Sequence, residues 1–265
     1  QPARENGPAV VTTATTIAEL LEAGEARRPA LSAPGGVPLT YASLRRLVQD
    51  TIDALASRGI APGDRVAIVL DNGPEMATAF LGVAAGVTAA PLNPVYRAAE
   101  FEFYLTDLRA KLLIVAQGKD SPASDAATRL GVPVARLLAR PAEGAGSFVL
   151  EFPDTLAAER RTARHADADD VALVLHTSGT TSRPKIVPLS QRNACASARN
   201  VRATLALTGG DRNLSIMPLF HIHGLIASLL APLSAGGEVC CTPGFNALKF
   251  FAWLGQVAPT WYTAV

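Results

Sequence analysis

Five hydroxyl side chains, one glycine and one lysine fall within a single ten-residue stretch, His176-Thr-Ser-Gly-Thr-Thr-Ser-Arg-Pro-Lys185. An apolar run precedes it, Val171-Ala-Leu-Val-Leu175, and Ile186, Val187 and Leu189 follow. Apolar runs of that length on either side of turn-forming residues predict a strand, a mobile hydroxyl-rich loop and a second strand. Such a loop offers backbone N–H groups, hydroxyls and one ammonium to a common anion, and phosphate oxygens suit that combination best. The stretch is not a Walker A motif, because Gly179 stands alone, Pro184 precedes Lys185 and a β-like run follows where a helix should begin. A dinucleotide-binding glycine fingerprint is also missing. The plainer reading is a serine- and threonine-rich surface loop joining two strands, with Lys185 a solvated charge on a turn.

His221 and His223 form a second group with chemical potential. They follow Met217-Pro-Leu-Phe220 at a predicted strand-to-helix junction. Helix N-termini attract anions, and imidazoles add hydrogen bonds or charge. A histidine beside an apolar helix is also commonly a cap or a core residue. His176, at the end of the first strand, reads equally as a hydrogen-bonded strand-end residue or as a nucleotide contact. His165 reads as a solvated surface residue, and Trp253, Trp261 and Tyr262 as packing groups. Cys195, Cys240 and Cys241 are odd in number and two are adjacent, which argues against a disulfide framework and for a reducing cytoplasm. No Cys/His spacing suggests a metal site.

The elements that must position these groups alternate along the chain. Leu44, Leu47, Val48, Thr51, Ile52, Leu55 and Ala56 recur at helical spacing, with Gly59 as a stop. Strands are expected at 65–70, 87–92, 111–116, 213–217, 238–242 and 259–265. Helices are expected at 74–85, 98–108, 193–205, 222–233 and 247–257, and Thr16 is placed to cap one running to Ala26. Segment 136–164 reads as irregular, with a loop at 141–146. Strand–helix alternation of this kind implies an α/β fold with largely parallel sheets flanked by helices. Residues 1–14 lack periodicity and read as a flexible leader, leaving 15–265 as one domain. With 265 residues, 49% hydrophobic, the chain can bury a large core. A net charge of +1 without a basic cluster makes nucleic acid an improbable partner. No uncharged apolar run long enough to span a membrane appears.

The hydroxyl-rich stretch resembles the signature of the adenylate-forming enzymes, the superfamily of acyl-CoA synthetases, luciferases and peptide-synthetase adenylation domains. Its usual form is Thr-Ser-Gly-Ser/Thr-Thr-Gly-x-Pro-Lys-Gly-Val. Here Ser182 and Ile186 replace two of the glycines. Ser182 fits the oxalate–CoA ligase branch; Ile186 departs from the pattern and removes backbone freedom beside Lys185. Leu39-Thr-Tyr-Ala-Ser-Leu44, Gly63-Asp-Arg-Val-Ala-Ile68, Pro91-Leu-Asn-Pro-Val-Tyr-Arg97 and Met217-Pro-Leu-Phe-His-Ile-His-Gly-Leu225 follow in the superfamily's order. The resemblance runs from about Ile17 to the last residue. Pro218–Leu225 and Thr260-Trp-Tyr-Thr-Ala-Val265 are most similar to oxalate–CoA ligases.

The resemblance implies the layered αβαβα N-terminal AMP-binding domain of that superfamily, incomplete. It implies that Thr177, Ser178, Gly179, Thr180, Thr181 and Lys185 grip the phosphates of ATP, accompanied by Mg2+. His221 would line the pocket for the acid's carboxylate, with His223 an added polar contact, and CoA would be the co-substrate. Lys185 and His221 are the catalytic candidates. A histidine pair suits a small dianion such as oxalate; an aromatic or longer-chain acid, or a non-catalytic nucleotide-binding fragment, are the alternatives. The family's adenine-binding motif, ribose-binding aspartate, hinge, C-terminal lysine and metal-side glutamate would lie beyond Val265. The 265-residue chain is therefore expected to be inactive alone, truncated before the adenine-binding motif and without the C-terminal domain, and to self-associate through uncovered surfaces.

Overall fold

A computed structural model describes residues 13–119, 121–156, 158–159, 162–177 and 184–265. The described strands are β1 (Pro29–Ser32), β2 (Leu39–Thr40), β3 (Arg65–Val69), β4 (Thr88–Pro91), β5 (Leu112–Ala116), β6 (Val134–Ala139), β7 (Phe148–Glu151), β8 (Val171–Thr177), β9 (Lys185–Ser190), β10 (Arg212–Ser215), β11 (Glu238–Cys241) and β12 (Trp261–Tyr262). They form two sheets, in the orders β7-β6-β5-β3-β4-β8-β9 and β12-β10-β11-β1-β2. Strands β6, β5, β3, β4 and β8 are parallel, as are β12, β10, β11 and β1. Antiparallel β7, β9 and β2 close three of the four sheet edges. Pro188 lies on edge strand β9, where a missing N–H is tolerated.

Alternation along the strands assigns the layers. Val66 and Ile68 of β3 and Leu112 and Ile114 of β5 belong to the largest apolar cluster. Ala67, Val69, Leu113 and Val115, pointing the other way, join Phe101, Leu105 and Leu108 of helix Ala98–Leu108 and Ala123, Ala126 and Ala127 of helix Pro122–Arg129. The five-stranded sheet repeats the pattern. Leu31, Val239 and Cys241 enter the large cluster, whereas Leu214 and Cys240 pack on Trp253 and Val257 of helix Ala247–Val257. Helices Tyr41–Ala56, Pro74–Ala84 and Gln191–Thr204 thus form the middle layer between the sheets, and the order is αβαβα.

Local sequence explains the middle helices. Thr40 caps the first by accepting from the Ser43 N–H, and its buried residues follow helical spacing through Leu44, Val48, Ile52 and Leu55. Pro74 starts the second after Gly73, and every residue from Met76 to Ala84 is buried. A helix apolar on all sides is what enclosure on every side demands, and the other two helices of the layer are buried on one face only. Gly82 permits its close approach to the first helix, since a Cβ there would lie 2.8 Å from Thr51 Cβ. Tyr41, fully buried, donates to the Gly237 carbonyl at 2.7 Å, tying the first helix to the turn before β11.

Several expectations need correction. Helix Pro122–Arg129 and strands β6 and β7 occupy regions read as irregular or left unassigned. The strand expected at 259–265 reduces to Trp261–Tyr262, because only Asn213 and Leu214 of the short neighbour β10 pair with it. The helix capped by Thr16 is α-helical only to Leu20 and continues as a 3-10 turn to Ala23. Residues 1–12 of the expected leader lie outside the described residues, and the Ala14 carbonyl accepts from Arg199 Nη1 at 2.6 Å. No described helix is long and apolar enough to cross a membrane.

Gly82→Ala is expected to destabilise the protein by about 1–3 kcal/mol through overpacking. Gly255→Ala, whose Cβ would meet nothing within 4 Å, should be neutral or mildly stabilising. Urea unfolding of the two variants checks the contrast.

Candidate active site

The ends of the signature stretch lie on two antiparallel strands. Strand β8 runs up to Thr177, and β9 returns from Lys185, with His176 opposite Ile186 and Thr177 opposite Lys185. Thr177 and Lys185 therefore face each other across the hairpin mouth, both exposed. Ser178, Gly179, Thr180, Thr181 and Ser182 lie outside the described residues. Ile186 gains a physical explanation, because it packs against the cluster that holds Val174 on the outer face of the large sheet.

The histidine pair sits at the other sheet. After β10, Pro218 and Phe220 lead into a helical rod that is π-helical over His223–Leu230 and α-helical over Ala231–Ser234. A π-helical stretch frequently marks a functional position. Beneath it, Asn213 Nδ2 donates to the Ser228 carbonyl at 2.6 Å, and the Ser228 hydroxyl donates to Ser215 Oγ at 2.9 Å. Gly224 is required by close packing, since a Cβ would lie 2.1 Å from the Pro218 carbonyl oxygen. His221 is exposed, and its ring lies beside Phe220 at 4.6 Å between centroids. His223 is half-buried, with Nε2 2.6 Å from Thr263 Oγ1 just beyond β12. Its structural partner makes it a tie between the rod and the strand end as well as a polar group near the site.

Both groups stand at the carboxyl ends of parallel strands, where open α/β sheets bind ligands. The loops after β3, β4, β10 and β11 there enclose a cleft of about 1030 Å³, with Asn72, Asn93, Met217, Phe220, Phe250 and Tyr262 among its walls. Its lining is mainly apolar. Thr177, Lys185, His221 and His223 do not line the cleft, although Phe220 beside His221 does, and no hydrogen bond joins the hairpin pair to the histidine pair among the described residues.

Asn72 was not singled out from the sequence. Its Oδ1 accepts from the Leu219 N–H at 2.9 Å and its Nδ2 donates to the Thr242 carbonyl at 2.9 Å. One amide after β3 thus pins the loops after β10 and β11, joining the two sheets at the cleft. In Leu70-Asp-Asn-Gly-Pro74 an asparagine reads simply as a turn former, so the sequence held no separate signal. Cys195, Cys240 and Cys241 are free and buried. Burial pushes the Cys195 thiol up to about 12 and raises the other two, which keeps all three protonated and unreactive. Among the described residues no group of three His, Cys, Asp or Glu side chains is placed to hold a metal ion.

Asn72→Ala strands a backbone donor and a backbone acceptor, and should cost about 1–3 kcal/mol. Asn93→Ala should cost less, because among the described residues Asn93 Oδ1 accepts only from Val95 N–H within its own turn. Chemical denaturation of both variants tests the difference.

Residues 21–265 match the family model described as AMP-binding enzyme. An oxalate–CoA ligase from Arabidopsis thaliana is 42% identical over 243 residues, covering 90% of this chain and 47% of the relative. One from Saccharomyces cerevisiae is 35% identical over 224 residues, covering 76% of this chain and 41% of the relative. Among solved structures, apo MatB from Rhodopseudomonas palustris superposes with a TM-score of 0.75 at 25% identity, over 91% of this chain and 48% of that one. An o-succinylbenzoate CoA synthetase from Bacillus subtilis in complex with its acyl-adenylate intermediate gives 0.76 at 25% identity, over 96% of this chain and 49% of that one. The chain spans about half the length of the curated relatives it matches. Motifs, layer order and these likenesses agree, and the chain belongs to the AMP-binding enzyme family.

Proposed function

We propose that this chain serves, in a protein of its relatives' full length, as the nucleotide-gripping part of an AMP-forming acid–CoA ligase. The observation that carries the reading is the hairpin mouth, where Thr177 and Lys185 face each other at the carboxyl edge of the large sheet. In the first step a carboxylate oxygen attacks the α-phosphorus of ATP, the bond to the bridging oxygen breaks, and pyrophosphate leaves with that electron pair. In the second, the CoA thiol attacks the acyl carbon, loses its proton and displaces AMP. Nucleotidyl transfer of this type depends on positioning and electrostatics more than on proton transfer.

In this reading Thr177, Ser178, Gly179, Thr180 and Thr181 donate to the β- and γ-phosphates, and the Lys185 ammonium offsets charge as pyrophosphate forms. His221, exposed beside the cleft, receives the acid's carboxylate, and His223 supports it. ATP is expected to arrive with Mg2+. The described residues present no three-ligand set for the ion.

Oxalate is the preferred acid, supported by the similarity to two oxalate–CoA ligases and by the histidine pair. One observation favours a second reading. The cleft is mainly apolar, with Phe220, Phe250 and Phe251 in its walls, a lining that suits an apolar chain better than a two-carbon dianion. An acid bearing an apolar chain would use it. Free, buried cysteines support a reducing, cytoplasmic setting.

Lys185→Ala in the full-length protein should lower ATP–pyrophosphate exchange by about 100-fold or more, the scale for losing a charged transition-state contact. Unchanged exchange would remove Lys185 from the site. Pyrophosphate release with oxalate compared against medium- and long-chain acids decides between the two substrate readings. The 265-residue chain alone is expected to self-associate through Phe245, Leu248 and Phe251, of which Leu248 is 94% exposed. A monomer at every concentration in sedimentation equilibrium would contradict this.

A further inference from the structure

Asp107 stands where a helix tolerates a carboxylate poorly. It is the penultimate residue of helix Ala98–Leu108, at the negative end of the helix dipole. The residue that ends the helix, Arg109, adopts a left-handed backbone with φ 50°, uncommon for a side chain of that size. The placement is matched by a contact across the fold. Asp107 Oδ2 lies 3.0 Å from Nε2 of His176, whose side chain is only 5% exposed.

Three further observations surround that contact. Tyr104, one turn earlier on the same helix, meets the imidazole edge to face at 4.6 Å and stacks on Tyr96 at 4.9 Å. The nitrogen facing a carboxylate is the one that carries the proton, and the other, Nδ1, is buried with no hydrogen-bond partner among the described residues. Strand β8 is in register with β4 at Leu173, opposite Ala89. From Val174 to Thr177 its register partners lie on β9, an edge strand that is largely exposed. Beyond Leu173 the register partners of β8 are those of its own hairpin, and His176, beside the apolar packing of Val174 and Ile186, ties that hairpin to the half-exposed outer helix Ala98–Leu108.

We propose that Asp107 and His176 form a positioning pair that anchors the root of the phosphate-facing hairpin. The pair fixes the direction of β8 one residue before Thr177, so that Thr177 and Lys185 meet the nucleotide in a set geometry. Neither Asp107 nor His176 touches the substrate. The inference rests on the ATP-binding reading of the hairpin given above.

The test uses the full-length protein, with ATP affinity by calorimetry and KM values from ATP–pyrophosphate exchange. His176→Ala and Asp107→Ala should each weaken ATP binding and raise KM for ATP roughly fivefold, the scale of one lost hydrogen bond. The KM for the acid should not change. The double variant should be no worse than either single one, because both remove the same bond. His176→Gln, whose Nε2 amide can still donate to Asp107, should restore most of the ATP affinity, which a purely structural loss would not do. If an alanine variant does not fold, Asp107→Asn compared with His176→Gln makes the same test, with weaker ATP binding expected for the first. Unchanged ATP binding, multiplying effects in the double variant, or parallel rises in both KM values would overturn the pair's role. A wild-type protein that neither binds ATP nor exchanges pyrophosphate would overturn the ligase reading as well. A wild-type that does both, with insensitive variants, would overturn the pair alone.

Discussion

Two sheets sharing one layer of helices is the constraint on which the rest of this protein depends. A helix enclosed on every side in that layer has no solvent face to give its polar residues, so it must be apolar all round, whereas Tyr41–Ala56 and Gln191–Thr204 bury one face and keep exposed polar residues on the other. Pro74–Ala84 meets the condition with an unbroken run of buried residues. It also needs a small residue where it crosses its neighbour, which Gly82 supplies against Thr51. The strands on both sides must then alternate between two buried faces. Val66 and Ile68 face the shared layer while Ala67 and Val69 face the outer helices. Burial on both faces in turn favours parallel strands with crossover helices, and parallel strands bring their carboxyl ends to one edge.

That edge carries the candidate site, and it is held by polar ties. Loops that end buried strands carry backbone groups that must find partners. Asn72 supplies two such partners and joins the loops after β10 and β11 to the large sheet. His223 reaches Thr263 after the short strand β12, and at the opposite, amino ends of β10 and β12 Asp211 accepts from Thr208 and Thr260. The Asp211 carboxyl is held below its ordinary range, first by the Thr208 backbone N–H. Asp107 and His176 do the same work for the hairpin. The ties made by Asn72, His223 and His176 link segments distant in sequence at the carboxyl edge, and they hold the loops that a nucleotide and an acid would meet.

Much of this was legible in the sequence, for identifiable reasons. Helices Ala98–Leu108 and Ala247–Val257 were read with their observed boundaries, because their apolar spacing is regular and their flanks are turn-forming. The hairpin was legible because hydroxyl-rich residues sit between two apolar runs. Helix Pro122–Arg129 was missed, because its buried residues are mostly alanines, which carry little periodic hydrophobic signal. Strand β6 was missed because arginine interrupts it, and β12 was overextended because an edge strand's length is set by its neighbour. The ties were the least legible part. Asn72, Asp107 and Thr263 are ordinary surface residue types, and only the fold shows which distant group each one meets.

The central claim, that the hairpin mouth is where nucleotide phosphates bind, can be tested on the lysines of this chain. An ATP acyl-phosphate reagent transfers its acyl group to an amine held beside the phosphates, and peptide mapping then locates the modified residue. Labelling concentrated on Lys185 and suppressed by excess ATP is the expected result in the full-length protein. Labelling that falls equally on Lys111, Lys119 and Lys249, or that ATP does not suppress, would contradict it.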